Sequence, residues 1–189
     1  MKLVYKKMDH IISFEEGFVS ELVIENRNLF YDFVHNLCTQ IEGAAGDLTL
    51  SLEDKPVEFV RHADVTLQFA PFQLNKKSLL TKLCTTLEQR AMEPENYQKT
   101  ALLLSEIDNF IQDMASEFPF DVCCSKLSVG PLLKGLGLEF AEDDKTDLEK
   151  IFDYMELVRE LDKDRLFVMV NMRTYFPDKD LQSFINSAV

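Results

Sequence analysis

Glycine is missing from the one turn of this sequence where a nucleotide-binding protein would need it. Residues 22–34, LVIENRNLFYDFV, have the pattern of an apolar strand that turns into a helix, with polar residues and Arg27 at the join. In many nucleotide-binding proteins this turn is glycine-rich, so that backbone N–H groups can cradle phosphate. Glu25 instead adds a negative charge where a phosphate would sit. We therefore expect a turn without phosphoryl-transfer chemistry, in which Asn26 or Asn28 caps the helix.

A second part of phosphoryl-transfer chemistry is also missing, because no acidic residue ends the apolar strand near the C-terminus. An NTPase of this kind needs an acid at such a strand end to hold its metal shell. The strand at residues 166–170 is followed by Asn171, a neutral amide. These two independent defects argue against a kinase or an ATPase, and we expect a protein that is not an enzyme.

Long apolar runs are absent as well. No stretch approaches the roughly 20 apolar residues that a membrane span requires, and the first ten residues, MKLVYKKMDH, are too polar for the apolar core of a signal peptide. Hydrophobic content of 46% and charged content of 28% are typical of soluble globular proteins. The sequence therefore predicts a cytoplasmic protein with no membrane partner.

Metal-binding cysteine motifs are missing too. The four cysteines are Cys38, Cys84, Cys123 and Cys124, and none of them has CxxC spacing. Two adjacent cysteines do not share a zinc ion in the usual way, and the other two fall on apolar helix faces. The three histidines match no catalytic or zinc pattern. We expect reduced cysteines and ordinary histidines.

Positive charge is scarce. The chain has 20 Lys and Arg against 33 Asp and Glu, a net charge of −13. Residues 101–160 alone hold 14 acidic and 5 basic residues, so that this third of the chain accounts for −9. A single copy with such a field should repel nucleic acid. A nucleic-acid-binding function therefore requires an explanation of where a positive surface comes from.

What the sequence does contain, at its start, is a run of short strands and one well-marked helix. Strands are predicted at 2–6, 10–14, 18–24 and 63–69, with a hairpin over residues 47–59 that turns at Glu53 to Pro56. Apolar residues recur with helical spacing from Leu29 to Ile41, and Gly43 stands where a C-terminal cap belongs.

After Pro71 the pattern becomes helical, and then returns to alternating strand and helix. Helices are predicted from Asn75, as the cap, to residue 92, from 95 to 118, where Pro119 stops the helix, and from 128 to 136. A strand-like triplet at 138–140, a helix at 148–161 and an apolar strand at 165–171 follow. We predict an α/β fold with a mostly parallel sheet in a head domain, 1–73 and 138–189, interrupted by a helical leg domain, 74–137.

This order of elements resembles a known family. The strand, IEN turn and helix, the two-helix insertion, the stretch KLSVGPLLKGLGLEF and, most specifically, residues 148–176 resemble the Csn-two family, which accompanies spacer acquisition in type II-A CRISPR systems. Members of the family usually continue past a position like Val189 into another strand, which this sequence does not contain.

The resemblance implies a ring-shaped homotetramer that encloses double-stranded DNA, prefers free DNA ends and performs no known enzymatic chemistry. It also implies a head that is like a P-loop fold, calcium ions that order the subunits, and other CRISPR adaptation proteins as partners. A second interpretation stays open, which is a degenerate P-loop-fold module that binds another protein and binds DNA weakly or not at all.

Calcium ligands are expected in the stretch DMASEFPFDV. Asp113 and Glu117 are four residues apart, a spacing that places both on one helix face, and Pro119 lets Asp121 fold back towards them. Calcium binds six to eight oxygens from carboxylates and carbonyls. The alternative is an ordinary solvated helix face, on which two acids at this spacing are common.

DNA contacts are expected from lysines of the helical insertion. The candidates are Lys126 and Lys134, which flank a short segment in an acidic region, and Lys76, Lys77 and Lys82 on the first insertion helix. Sequence-independent binding needs only cations directed at phosphates. Closed symmetry would repeat each lysine in every subunit and so concentrate positive charge inwards. The alternative is a set of scattered solubilising lysines.

Overall fold

The computed structural model describes residues 1–15, 17–123, 125–142, 144–162 and 165–188. The chain falls into two units, one formed by residues 1–74 with 143–189 and the other by residues 75–142. The first unit combines strands with helices, and the second unit contains three helices. The mixed α/β prediction is therefore confirmed at this level of detail.

A four-stranded antiparallel sheet forms one half of the first unit. Its strands are β1 (Lys2–Tyr5), β2 (Ile11–Ser13), β3 (Leu48–Leu52) and β4 (Lys55–Val57), in the order β2-β1-β3-β4. Leu3 lies opposite both Ile12 and Leu50. The turn between β3 and β4 has two residues, Glu53 and Asp54, both with positive φ, which is the backbone that a two-residue hairpin requires.

Two further strands pair in parallel. They are β5 (Ala63–Thr66) and β6 (Leu166–Met169), with Ala63 opposite Leu166. The prediction of a mostly parallel sheet is wrong, because the described strands form one parallel pair and a four-stranded antiparallel sheet. Two of the three antiparallel pairs have a local cause, because short turns join β1 to β2 and β3 to β4. In the third pair, residues 6–47 lie between β1 and β3, and no local pattern indicates the direction in which these two strands pair.

Two predicted strands are not formed. Residues 18–24 have no regular secondary structure. Two side-chain hydrogen bonds connect them to other segments: the Ser20 hydroxyl donates to the Ser13 carbonyl at 3.5 Å, and Arg173 donates to Glu21 at 3.1 Å. Phe18 and Val23 remain 74% and 73% exposed. Residues 138–140 also have no strand. Apolar alternation supplies strand propensity, but a strand also needs a neighbouring edge to pair with.

The core of the first unit lies between the antiparallel sheet and helix α1 (Arg27–Ile41), where the helix predicted from apolar spacing is confirmed. Phe33 and Leu37 are its buried residues, and the Phe33 ring meets Tyr5 edge to face at 5.4 Å between centroids. The short helix α2 (Phe59–His62) adds Phe59. The buried cluster is formed by Leu3, Tyr5, Phe33, Leu37, Leu48, Leu50, Phe59 and Ala63.

The later part of the chain completes this unit with helix α6 (Asp147–Leu161), a 3₁₀ turn (Met172–Thr174) and helix α7 (Asp178–Ala188). Helix α6 buries Ile151, Tyr154 and Val158. The Tyr154 hydroxyl donates to Asp64 of β5 at 2.5 Å, and burial, reinforced by the Asp64 carboxylate, raises the pKa of Tyr154 far above its ordinary value. This hydroxyl therefore stays protonated and ties the helix to the parallel pair.

The second unit consists of helices α3 (Lys77–Met92), α4 (Pro94–Ala115) and α5 (Val129–Gly135), with α3 packed against both of the others. Pro94 occupies the first turn of α4, where its missing N–H leaves no hydrogen bond unmade. Among the described residues, no helix is both long and apolar enough to cross a membrane.

Candidate nucleic-acid interface

The turn before α1 uses its amides to hold the helix. The Asn26 side chain accepts hydrogen bonds from the backbone N–H of Asn28 at 3.0 Å and of Leu29 at 3.1 Å. This confirms Asn26 as the helix cap. Two of the amides that a bound phosphate would need are therefore already satisfied by a side chain of the protein itself.

The backbone turns at Asn171, just after β6. Asn171 has a left-handed backbone, with φ 59° and ψ 28°, a conformation that asparagine tolerates better than most residues. Its carbonyl accepts hydrogen bonds from the Thr174 N–H at 2.9 Å and from the Thr174 hydroxyl at 2.7 Å. Asn171 thus shapes the entry into the 3₁₀ turn, a role that needs no ionised side chain.

The two ends of the second unit are joined by Asn75. Its side-chain oxygen accepts from the Phe140 N–H at 2.7 Å, and its side-chain nitrogen donates to the Phe140 carbonyl at 3.0 Å and to Glu142 at 2.8 Å. The prediction that Asn75 caps α3 is wrong, because Lys76 occupies the cap position and the Asn75 side chain is used in this junction. We call this set of contacts the Asn75 junction.

Three of the candidate DNA-binding lysines lie on or beside α3. Lys76 is the capping residue and Lys77 the first helical residue, while Lys82 lies five residues further along the helix. Lys77 is exposed, and Lys76 and Lys82 are half-buried. The first turn of α3 contains no acidic residue. Positive charge from the helix dipole and from two lysine side chains is therefore concentrated at the N-terminal end of this helix.

The other two candidate lysines flank α5. Lys126 lies in the extended segment before the helix and Lys134 in its last turn, and both are exposed. No ion pair to either of them is found among the described residues. Lys134 is at the helix end where the dipole favours a cation. The structure thus places all five lysines in the second unit.

Helix α5 packs closely on α3. Val129 and Gly130 are the buried residues of α5. A Cβ atom at Gly130 would lie 2.9 Å from both carboxylate oxygens of Glu88 on α3. A side chain at position 130 would therefore displace the Glu88 carboxylate, which is the end of a flexible and exposed side chain.

The candidate calcium ligands are not brought together into a metal-binding group in the described part of the chain. Helix α4 ends at Ala115, with Ser116 as its cap, so that Asp113 is helical while Glu117 and Asp121 lie beyond the end. The prediction that Asp113 and Glu117 share a helix face is therefore wrong, since the helix stops before it reaches Glu117. All three side chains are exposed, and among the described residues no group of three or more His, Cys, Asp or Glu is placed to hold a metal.

A comparison with protein families identifies the family to which the chain belongs. The family model described as CRISPR-associated protein (Cas_Csn2) matches residues 40–188. The chain belongs to the Cas_Csn2 family. The match contains the whole second unit with its five lysines, the Asn75 junction and helix α6. The resemblance inferred from the sequence is thereby confirmed, and a CRISPR-associated role follows.

Sequence reasoning missed the Asn75 junction. Its partners are 65 and 67 residues away along the chain, and no local pattern of residue types indicates a contact at such a distance. The sequence contained only an indirect signal. Asn75 lies beside the predicted boundary of an insertion, where its side chain could form hydrogen bonds across that boundary as well as cap the first helix.

Proposed function

We propose that the chain forms a ring-shaped homotetramer in the cytoplasm that encloses double-stranded DNA without reading its sequence, prefers free DNA ends, and supports the uptake of new CRISPR spacers together with other adaptation proteins. The single observation that carries the proposal is the match to the Cas_Csn2 family over a region that includes all five candidate lysines. The likeness of the first unit to a P-loop fold stays a prediction.

The position of the lysines makes this function compatible with a net charge of −13. Lys77, Lys126 and Lys134 are exposed in the second unit. A closed ring repeats each of them in every subunit, so that one inward face becomes positive while the acidic surplus faces outwards. Binding to the phosphate backbone then needs no helix in a groove and no contact with base edges.

We propose a role without catalysis for a related reason. Asn26 occupies the amides of the turn that a nucleotide would need, and Asn171 brings a neutral amide to the end of β6. A protein that encircles DNA requires neither feature. Purified protein should therefore hydrolyse ATP and GTP at the background rate, and turnover abolished by Asn171→Ala would contradict the proposal.

The decisive experiment compares linear DNA with relaxed circular DNA of equal length at one salt concentration. Gel shifts should show binding to the linear form and little binding to the circular form, because a closed ring must thread onto a free end. Equal affinity for the two forms would contradict threading, and absence of binding to either would contradict the DNA function.

The lysines are tested by the salt dependence of the affinity for linear DNA. Lys126→Ala combined with Lys134→Ala should reduce the slope of log K against log salt by about 0.9 for each lysine–phosphate pair that the variant removes, without creating any base preference. The control is Lys55→Ala combined with Lys179→Ala, two exposed lysines of the first unit. An unchanged slope in the first variant would mean that Lys126 and Lys134 do not bind DNA phosphates.

A protein-interaction module is the second candidate, and one observation favours it. Residues 18–23 present exposed apolar side chains, including Phe18, Val19 and Val23, and form no strand. An exposed apolar segment with strand propensity can pair with a strand of another protein. If Phe18→Ser combined with Val23→Ser abolished spacer acquisition while DNA binding stayed intact, a protein partner would be indicated.

A further inference from the structure

Residues 18–24 combine exposed apolar side chains with an unpaired backbone, and we call them the open segment. The exposed apolar side chains are Phe18, Val19, Leu22 and Val23, at 74%, 54%, 40% and 73% of their surface. The segment belongs to no strand, and among the described residues the backbone groups of residues 19–24 make no hydrogen bond to another backbone group. Unpaired groups in an extended chain are the ones that a further strand satisfies.

Three contacts hold the open segment on the first unit. The Ser20 hydroxyl donates to the Ser13 carbonyl at 3.5 Å. Glu21 accepts from Arg173 at 3.1 Å, and Ile24 packs against the buried core cluster. These contacts leave the exposed apolar side chains available. They also order the backbone in advance, which lowers the entropy that a partner must remove on binding.

The open segment passes the outer side of β2, the edge strand of the antiparallel sheet. The Met1 amino group donates to the Phe14 carbonyl at 3.1 Å, and the Phe14 N–H donates to the Met1 carbonyl at 2.8 Å. In an antiparallel pair the next residue directs its backbone groups away from the neighbouring strand. The Ser13 carbonyl therefore faces outwards, and Ser20 binds it from that side. A partner strand can pair with the open segment without displacing β1.

The charge around the open segment indicates which partner fits. Residues 8–26 contain no Lys or Arg and five acidic residues, which are Asp9, Glu15, Glu16, Glu21 and Glu25. Glu15 and Glu25 are exposed, and among the described residues no ion pair to either is found. A second copy of this segment would bring acid against acid, and DNA would be repelled. The complementary occupant is a basic segment of a different protein.

We propose that the open segment is the docking site for an extended basic segment of a partner protein, which adds to it as a strand and in which Lys or Arg alternates with apolar residues. Main-chain hydrogen bonds supply affinity, while the apolar contacts and the cations near Glu15 and Glu25 supply selectivity. The inference rests on the part of the proposed function that includes other proteins as partners. It assigns that partner to the first unit, whereas the five candidate lysines belong to the second.

The probe is a synthetic peptide of about eight residues, the length of an ordinary strand, in which lysine and valine alternate. Fluorescence anisotropy with the full chain should show saturable binding. A peptide with the same residues in one lysine block and one valine block should bind about tenfold more weakly, because only alternation directs one residue type to each face of a strand. Equal affinity for the two peptides would indicate attraction to an acidic protein in general, and would overturn the proposal.

The apolar contacts are tested by Phe18→Ser combined with Val23→Ser. The control is Val60→Ser combined with Leu67→Ser, two exposed apolar residues of the same unit. The first variant should weaken binding of the alternating peptide about tenfold and leave thermal melting unchanged, because both side chains are exposed in the single chain. The control should bind as the original chain does. Equal weakening in the two variants would contradict docking at the open segment.

The charge is tested by Glu15→Lys combined with Glu25→Lys. The control, Glu53→Lys combined with Glu156→Lys, changes two exposed glutamates of the same unit and alters the net charge by the same amount. The first variant should weaken binding of the lysine–valine peptide about tenfold and permit binding of a glutamate–valine peptide. The control should change neither by more than a few-fold. Equal effects would show that the net charge acts, rather than residues beside the segment.

Main-chain pairing is tested by amide hydrogen exchange, and DNA binding is measured beside it. Saturating peptide should slow exchange at alternate residues of 19–24, since successive N–H groups of a strand point to opposite edges. Binding without this protection would overturn strand addition. If the peptide fails to bind while linear DNA is still preferred to circular DNA, this inference fails alone. If the peptide pairs with the open segment but both DNA forms bind equally, the proposed function fails alone.

Discussion

The two units of the chain bury their apolar residues to very different extents. The first unit contains nearly all of the buried apolar side chains, from Leu3 in the first strand to Phe184 in the last helix. In the described part of the second unit, only Leu79 and Val129 are buried apolar residues, and α4, the longest helix of the chain, has no buried residue.

This difference shows what each unit needs in order to be stable. A unit with a closed core can offset the loss of chain entropy by itself, whereas three helices with two buried apolar side chains cannot offset it to the same degree. The second unit is thus the part of the chain whose stability should depend on a partner, and it is also the part that holds the candidate lysines. Assembly and DNA binding would then stabilise the same helices.

The largest expected effect tests the closed core of the first unit. Leu37 is fully buried between α1 and the sheet, so Leu37→Ala should lower the free energy of unfolding by about 2–5 kcal/mol. Leu102→Ala in the second unit should change it by no more than about 0.5 kcal/mol, because its side chain is exposed. Urea denaturation measures both. Similar losses of unfolding free energy in the two variants would show that the two units do not differ in this respect.

Calcium binding gives a second test of the difference in stability between the two units, because the predicted calcium ligands all belong to the second unit. If the sequence-based prediction is correct, calcium at about 100 times its dissociation constant should stabilise the folded protein by roughly 2.7 kcal/mol. Asp113→Ala combined with Glu117→Ala should remove that gain, and Asp178→Ala combined with Asp180→Ala should not. Thermal melting in calcium and in EDTA gives the answer, and identical curves for the intact protein would refute a calcium site.

The described residues of a single chain contain no preformed metal-binding group, and the result of the calcium experiment is to be interpreted accordingly. Asp113, Glu117 and Asp121 are exposed and do not form a metal-binding group. A calcium effect that depends on protein concentration would therefore indicate that a second copy supplies ligands. An effect independent of concentration would indicate that the segment after Ala115 changes its conformation when calcium binds.

The Asn75 junction gives a prediction about the boundary between the units. Asn75→Ala removes three side-chain hydrogen bonds and leaves the Phe140 backbone groups to find other partners. We expect a loss of about 1–3 kcal/mol and faster amide exchange at Phe140. Asn28→Ala, at an exposed position of α1, serves as the control. Unchanged exchange at Phe140 would show that the junction does not hold the end of the second unit in place.

How much of the fold can be predicted from the sequence depends on how local the deciding interactions are. The predictions of α1, of α6 and of the β3–β4 hairpin are confirmed, because apolar spacing and turn residues within a few positions determine them. The strand at 18–24 was wrongly predicted, because its formation depends on a neighbouring edge that no local pattern reveals. The prediction of a mostly parallel sheet was wrong for a similar reason, since the antiparallel pairing of β1 with β3 joins strands that are far apart in the sequence.

The candidate site shows the same division. The cap at Asn26 and the turn at Asn171 follow from residue types at their own positions. The role of Asn75 could not be inferred, because it depends on Phe140 and Glu142 at the far end of the unit. The roles of the five lysines and of the three acids stay predictions, since they concern DNA, calcium and other copies of the chain.

The smallest expected effect compares two helix starts, one in each unit. Before α6, the Thr146 side chain accepts from the Glu149 N–H at 3.3 Å, while the Glu149 carboxylate accepts from the Thr146 N–H at 2.8 Å. Before α5, Ser128 holds the same position, but among the described residues its side chain makes no capping bond. Thr146→Ala should therefore lower the free energy of unfolding by about 1 kcal/mol, and Ser128→Ala by only a few tenths.

The contribution of this capping box to stability depends on pH, and the sign of the dependence follows from the pKa of Glu149. Hydrogen bonds from the Thr146 backbone N–H, and then from its hydroxyl, lower the pKa of Glu149 in the folded state. A carboxyl with a lowered folded pKa contributes stability that is complete above its unfolded pKa and is lost as pH falls through the folded pKa. The difference in stability between the original chain and Thr146→Ala should thus be largest near neutral pH and shrink in acid. For Ser128→Ala the corresponding difference should be flat, and a flat profile for both variants would show that the Thr146 hydroxyl does not bind the Glu149 carboxylate in solution.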